Sequence, residues 1–99
     1  MKRIILTEPA EADLERISFW TAQHAGLDAG RRAIERIVTK FGLIARVPGV
    51  GRRRDELIPG CRGLSVGNHL VLYRVTEDGL CITRVLDARE DLERAVDRR

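Results

Sequence analysis

The hydrophobic period of this chain changes from helical to strand-like at Pro48-Gly49-Val50-Gly51, and that change constrains the fold more than any other feature. Before it, apolar residues return at helical spacing. Ala10, Leu14, Ile17 and Trp20 or Thr21 follow that spacing, and Ala33, Ile34, Ile37, Val38, Phe41 and Ile44 or Ala45 form a wide apolar stripe. After it, short apolar runs alternate with turn residues, which is the pattern of consecutive strands. Helices in one half and strands in the other imply an α+β domain, with the helices gathered on the sheet as one unit.

The elements follow in order. Arg3-Ile4-Ile5-Leu6-Thr7 reads as a first strand. Thr7-Glu8-Pro9 is a helix start: a capping hydroxyl, Pro in the first turn, and Glu8 and Glu11 near the positive end of the dipole. His24-Ala25-Gly26-Leu27-Asp28 breaks that helix, and Asp28 is placed to cap a second one running from about Ala29 to Ala45. Pro48-Gly49 ends it, leaving an antiparallel helix hairpin. Glu56-Leu57-Ile58 is a short strand candidate. Arg62 to Val66 and His69 to Val75 are two more, joined at Gly67-Asn68, and Thr76-Glu77-Asp78-Gly79 turns the chain into Leu80 to Leu86. Leu70-Val71-Leu72-Tyr73 is apolar on both faces, so it belongs at the centre of the sheet with apolar cover on each side. Asp87 to Val96 has weak helical character and runs into the charged tail Asp97-Arg98-Arg99. The expected fold is a single domain over residues 1–99: an N-terminal strand, an antiparallel helix hairpin, a four-strand antiparallel meander and a short C-terminal helix.

Ninety-nine residues suffice for one modest core. No apolar run approaches the length needed to span a bilayer, and the segment from Met1 to Leu6 is too short for a signal peptide. The expected compartment is the cytoplasm, where Cys61 and Cys81 are expected as reduced thiols. His24 and His69 are far apart in sequence and the cysteines form no CxxC, so no metal site is readable and no cofactor is implied. Nor is there a G-x-S-x-G elbow, a Cys with an evident His partner, or a phosphate-cradling G-x-x-x-x-G-K.

Charge is the remaining clue. The net charge is only +3, and of 18 basic residues all but Lys2 and Lys40 are Arg. Arginine suits bidentate recognition of carboxylate or phosphate, although a codon bias toward Arg gives the same ratio, so positions matter more than counts. Arg52, Arg53, Arg54, Arg62, Arg74 and Arg84 all lie in the strand-rich half. Converging, they would suit an anionic partner; taken singly, each can pair with a neighbouring acid. Arg84 sits inside an apolar strand and needs a buried partner; Asp55, Glu56, Glu77 and Asp91 are the candidates for these pairings. Tyr73, in the central strand, reads as a core tyrosine with a satisfied hydroxyl.

These pieces together resemble a known family. Ala10-Glu11-Ala12-Asp13-Leu14-Glu15-Arg16-Ile17 is similar to the A-x-x-D-L-x-x-I start of the first helix in the RelE/ParE superfamily of bacterial toxins. Pro48-Gly49-Val50-Gly51-Arg52-x-Arg54-x-Glu56-Leu57, Gly60-x-Arg62, Val66-Gly67, Tyr73-Arg74-Val75 and Ile82-x-Arg84-Val85-Leu86 follow in order and at family spacing, over nearly the whole chain. The pattern looks most like the ParE branch.

That resemblance implies the toxic half of a type II toxin–antitoxin pair. It implies an inhibitor of DNA gyrase and no enzyme. It also implies neutralisation by a ParD-like antitoxin, whose C-terminal segment wraps the toxin in a heterotetramer. The antitoxin- or target-binding residues expected from the basic patch are Arg52, Arg53, Arg54, Arg62 and Arg74, with Tyr73 and Arg84 structural.

The alternative within the superfamily is a RelE-like ribonuclease that cuts mRNA on the ribosome. Here the chain departs from the pattern: Asp87 stands where many relatives carry His after R-V-L, and no His, Tyr or Lys lies beyond Tyr73. RNA cleavage needs a proton donor for the leaving oxygen, and arginine holds its proton too tightly to serve. A third reading is a non-toxic nucleic-acid-binding domain. It is weakened by the near-balanced charge, with acids interleaved from Glu77 to Asp97. No membrane contact and no sequence-specific DNA binding by this chain alone are expected.

Overall fold

The computed structural model describes residues 3–97; Met1 and Lys2, and the Arg98-Arg99 end of the charged tail, lie outside the described residues. Strand β1 (Arg3–Leu6) leads into helices α1 (Glu8–Ala25) and α2 (Leu27–Arg46). A single 3-10 turn (Pro48–Val50) precedes β2 (Arg52–Arg53), β3 (Arg62–Val66), β4 (His69–Thr76), β5 (Gly79–Asp87) and helix α3 (Leu92–Asp97). The five strands form one sheet in the order β1-β5-β4-β3-β2, with β4 at its centre. From β2 to β5 every neighbouring pair is antiparallel, and β1 returns alongside β5 in parallel. This is the expected α+β arrangement of strand, hairpin, meander and terminal helix.

Thr7 is where strand turns to helix. Its Oγ1 accepts from the Ala10 N–H at 3.1 Å, capping α1, and donates to the Thr83 carbonyl at 2.7 Å. β1 pairs with β5 only as far as Ile82, and beyond that point α1 covers the sheet edge. The Thr7 N–H reaches the Ile82 carbonyl, and the Asp13 carboxylate accepts from the Val85 N–H. An edge that would otherwise expose unpaired backbone is thus closed by side chains of the helix that follows.

The core has two layers. On one face, Ile37, Phe41 and Ile44 of α2 and Ala10 of α1 pack on Val71, Tyr73, Leu80, Ile82 and Val85. On the other, Leu70, Leu72 and Leu86 pack with Ala95 of α3, flanked by Leu57 and Ile58. Burial of Leu70 through Tyr73 without alternation reflects this double cover. Both cysteines are free, Cys61 buried and Cys81 half-buried.

Several boundaries differ from the sequence reading. Gly26, not Asp28, caps α2, and Asp28 falls inside the first turn. The paired strand after the hairpin is Arg52–Arg53, whereas Glu56-Leu57-Ile58 lies in a turn. There the Leu57 and Ile58 N–H groups bond back to the Arg54 carbonyl, and the Asp55 carboxylate accepts from the Gly60 N–H. Leu57 and Ile58 are apolar because they pack against the second core layer, and such packing needs no strand ladder. The terminal helix is shorter than the Asp87 to Val96 segment, because Asp87 still pairs with His69 as the last residue of β5.

Candidate partner-binding surface

The five arginines expected at the surface cluster around the β2 edge and the loop that follows it. Arg53 sits opposite Arg62, and Arg52 opposite Gly63. Most of these guanidinium groups already have a partner. Arg53 forms a two-point contact with Asp55, at 2.9 and 3.3 Å. Arg54 holds Glu56 at 2.8 Å. Arg62 donates to the Gly51 carbonyl at 2.8 Å, and Arg74 to the Pro59 carbonyl at 3.1 Å. The Arg53 hydrogen bond lowers the pKa of Asp55 and the Arg54 hydrogen bond lowers that of Glu56, so both carboxylates are ionised at neutral pH. The result is a mesh of guanidinium and carboxylate that pins the loop against the edge. Arg52 is exposed, and among the described residues it makes no hydrogen bond or ion pair.

Tyr73 lies beneath this edge and is 0% exposed. Its hydroxyl donates to the Pro48 carbonyl at 2.6 Å and accepts from the Gly51 N–H at 2.9 Å. A Cβ at position 51 would lie 2.7 Å from that hydroxyl and 2.8 Å from the Gly63 carbonyl, so only glycine lets the chain pass here. The tyrosine thereby fixes where the hairpin ends and the edge strand begins.

Arg84 meets Asp13 of α1, which is none of the partners the sequence suggested. Its Nε and Nη2 contact the two carboxylate oxygens at 2.8 and 3.0 Å. Nη1 donates to the Ala95 and Val96 carbonyls of α3. Asp13 is 1% exposed and Arg84 6%. Burial pushes the Asp13 carboxyl toward neutrality. The hydrogen bonds from Arg84, the Val85 N–H and Arg16 outweigh that and hold its pKa below the usual 3.8. One ion pair therefore ties α1, β5 and α3 together. A signal for Asp13 was present: it stands at helical spacing with Ala10, Leu14 and Ile17, a charged residue at the border of the apolar face.

The sequence reading passed over a second set of cations. Arg32, Arg36 and Lys40 stand one turn apart on α2, exposed, and among the described residues none makes a hydrogen bond or ion pair. They border a groove of about 580 Å³ against Ser65, Val66 and Gly67 of the β3–β4 turn. Arg36 also borders an adjoining cavity of about 330 Å³, with Arg16, Trp20, Asn68, His69 and Arg89 among its walls. Their i, i+4, i+8 spacing was visible in the sequence. The hairpin also exposes large apolar side chains: Phe19 (66%), Trp20 (54%), Leu27 and Val38.

The acid–base candidates can be placed as well. Asp87 accepts from the Arg89 side chain at 2.8 and 2.9 Å, which holds its pKa down at about 2. His69, directly opposite Asp87, has its pKa lowered chiefly by burial, with Arg89 and Arg36 adding to the effect and Asp87 opposing it. Among the described residues no group of His, Cys, Asp and Glu could hold a metal ion.

Comparison with known proteins places this architecture. The family described as "ParE toxin of type II toxin-antitoxin system, parDE" matches residues 4–92. The chain is 37% identical over 93 residues to toxin ParE1 of Mycobacterium tuberculosis, covering 93% of this chain and 95% of that one. It is 35% identical over 92 residues to toxin ParE3 of Caulobacter vibrioides, covering 93% and 92%. Its fold is similar to a solved structure titled "Chromosomal ParDE TA system from P. aeruginosa", with a TM-score of 0.78 at 24% identity, covering 90% of this chain and 98% of that one. The match spans both halves of the chain and the turn between them: it belongs to the ParE toxin family of type II toxin–antitoxin systems.

Proposed function

We propose that this toxin acts by binding and inhibiting DNA gyrase, and that a cognate ParD-like antitoxin neutralises it by direct contact. The observation that carries the choice of inhibitor over ribonuclease is the state of its acid–base groups. Asp87, with a pKa of about 2, is ionised at neutral pH and has no proton to give. The Tyr73 hydroxyl is buried and engaged on both sides. His69, its pKa lowered by burial, is neutral at pH 7 and is no general acid there. A protein so equipped acts by occupying a surface of its target, which is no enzymatic step.

The antitoxin segment lies along the hairpin helices, where Phe19, Trp20, Leu27 and Val38 offer apolar anchors, and reaches the β2 edge. There Arg52, Arg53, Arg54, Arg62 and Arg74 face its carboxylates, exchanging internal partners for external ones. Two toxins on one antitoxin dimer, a heterotetramer, complete the assembly in the cytoplasm. Among the described residues no helix is long and apolar enough to cross a membrane.

Inducible expression in bacteria tests the target. Growth arrest with a DNA-damage response and intact transcripts is the expected result. Arrest with rapidly cut mRNA would replace gyrase inhibition by ribosome-dependent RNA cleavage. For the antitoxin surface, reversing Arg52, Arg53 and Arg54 to Glu should weaken antitoxin affinity at low salt. Unchanged affinity would remove that patch from the interface.

A further inference from the structure

The cations on α2 face a different part of the surface from the β2 edge, and their setting is more specific than a basic patch. A rise of about 1.5 Å per residue puts Arg32, Arg36 and Lys40 about 6 Å apart along the axis, each turned about 40° from the one before, so the three follow a gently inclined ridge. That step is comparable to the one between successive phosphates of an extended strand. All three are exposed and free of internal partners among the described residues. The single acid between them, Glu35, pairs with Arg31 instead. The groove they border and the cavity that Trp20 lines share Arg36 as a wall, with Gly67 on the one and its neighbour Asn68 on the other. The exposed Trp20 ring stacks on His24 with centroids 4.0 Å apart and planes 20° from parallel, which leaves a flat aromatic platform at the cavity's edge. The cavity wall is mixed in charge: Arg16, Arg36 and Arg89 line it together with Asp87 and Glu90, and Asp87 holds Arg89. Along the groove itself three cations stand with one acid, Glu35.

A row of unpaired cations leading to an aromatic platform is the equipment by which proteins hold single strands without reading their sequence. We infer that the groove between α2 and the β3–β4 turn binds single-stranded nucleic acid, with Arg32, Arg36 and Lys40 on consecutive phosphates and Trp20 beneath a base. The site reads no base edges, so it takes DNA and RNA alike, and three contacts give weak, salt-sensitive binding. This inference does not depend on the identity of the toxin's target.

The test is fluorescence anisotropy of the full chain with labelled 12-nucleotide DNA and RNA strands of one sequence. The salt range is roughly 25–200 mM, where counterion release is measurable. Three phosphate contacts on a single strand predict that log affinity falls with log salt at a slope of about −2. Replacing Arg32, Arg36 and Lys40 by Ala, which retains the helix, should weaken binding at low salt at least about tenfold, and replacement by Glu should abolish it. Trp20→Ala should weaken it by about tenfold with the salt slope unchanged. A charge-matched control, Arg3, Arg46 and Arg94 to Glu, should cost far less than the α2 triple. Absence of oligonucleotide binding at the lowest salt would overturn the inference. So would an α2 triple variant no weaker than the control. A poly-glutamate peptide that binds through the α2 cations while oligonucleotides do not would assign the groove to an acidic protein segment and equally overturn it. No gyrase is present in this assay, so its failure leaves the gyrase reading untouched, and the converse also holds.

Discussion

At the scale of single residues, the most consequential pair is Asp13 and Arg84. Replacing the carboxylate by an amide takes from the buried Arg84 guanidinium the two-point ionic partner that faces it. Asp13→Asn should therefore destabilise the fold by about 3–5 kcal/mol, a large share of a small domain's stability. Urea denaturation at neutral pH reads this directly, and a change under about 1 kcal/mol would show the pair to be replaceable. The pH dependence has a definite sign. The folded-state pKa of Asp13 lies below the ordinary 3.8, so its contribution is present above that value and is lost as pH falls through the folded pKa. The wild type should lose stability below about pH 4, and Asp13→Asn should show a shallower loss over the same window. Equal slopes for the two proteins would contradict the assignment. Tyr73→Phe should cost about 1–3 kcal/mol, because the Gly51 N–H loses its buried acceptor. Arg84 was legible in the sequence because an isolated charge in an apolar strand demands an explanation. Its partner was not, because Asp13 lies 71 residues away on a helix whose charged residues looked solvated.

At the scale of elements, the sequence was most informative where turn chemistry and period agreed. Gly67-Asn68 and Asp78-Gly79 lie between apolar runs, and β3, β4 and β5 formed within a residue or two of the expected limits. The β2 region was less legible, because Leu57 and Ile58 earn their burial from side-chain packing in a loop, and packing leaves no period of two. The parallel pairing of β1 with β5 is a long-range contact that neither strand's own pattern specifies. It depends on Gly79, where a Cβ would lie 1.9 Å from the Arg3 carbonyl oxygen. Gly79→Ala should therefore undock β1 while leaving the β3–β4 hairpin intact. Hydrogen exchange would show this as lost protection confined to residues 3–6 and their partners on β5. Full protection of β1 in the variant would contradict the close approach.

At the scale of the whole molecule, the helix hairpin, the α2 groove and the β2 edge present different chemistry on one small fold. Apolar side chains are exposed on the hairpin, unpaired cations stand along α2, and paired arginines hold the edge. That division is what an inhibitory binding protein requires, whereas a ribonuclease requires a proton donor. The candidate site was half legible for a physical reason. The sequence gives the position of each arginine, but which of them are already neutralised by a neighbour is decided only by folding. The central claim is inhibition of gyrase, and the most direct measurement is supercoiling of relaxed plasmid by purified gyrase with added toxin. The account predicts that the toxin stops supercoiling in proportion to its concentration and that its cognate antitoxin restores it. Undiminished supercoiling at saturating toxin, from a preparation that still arrests growth when expressed, would contradict it.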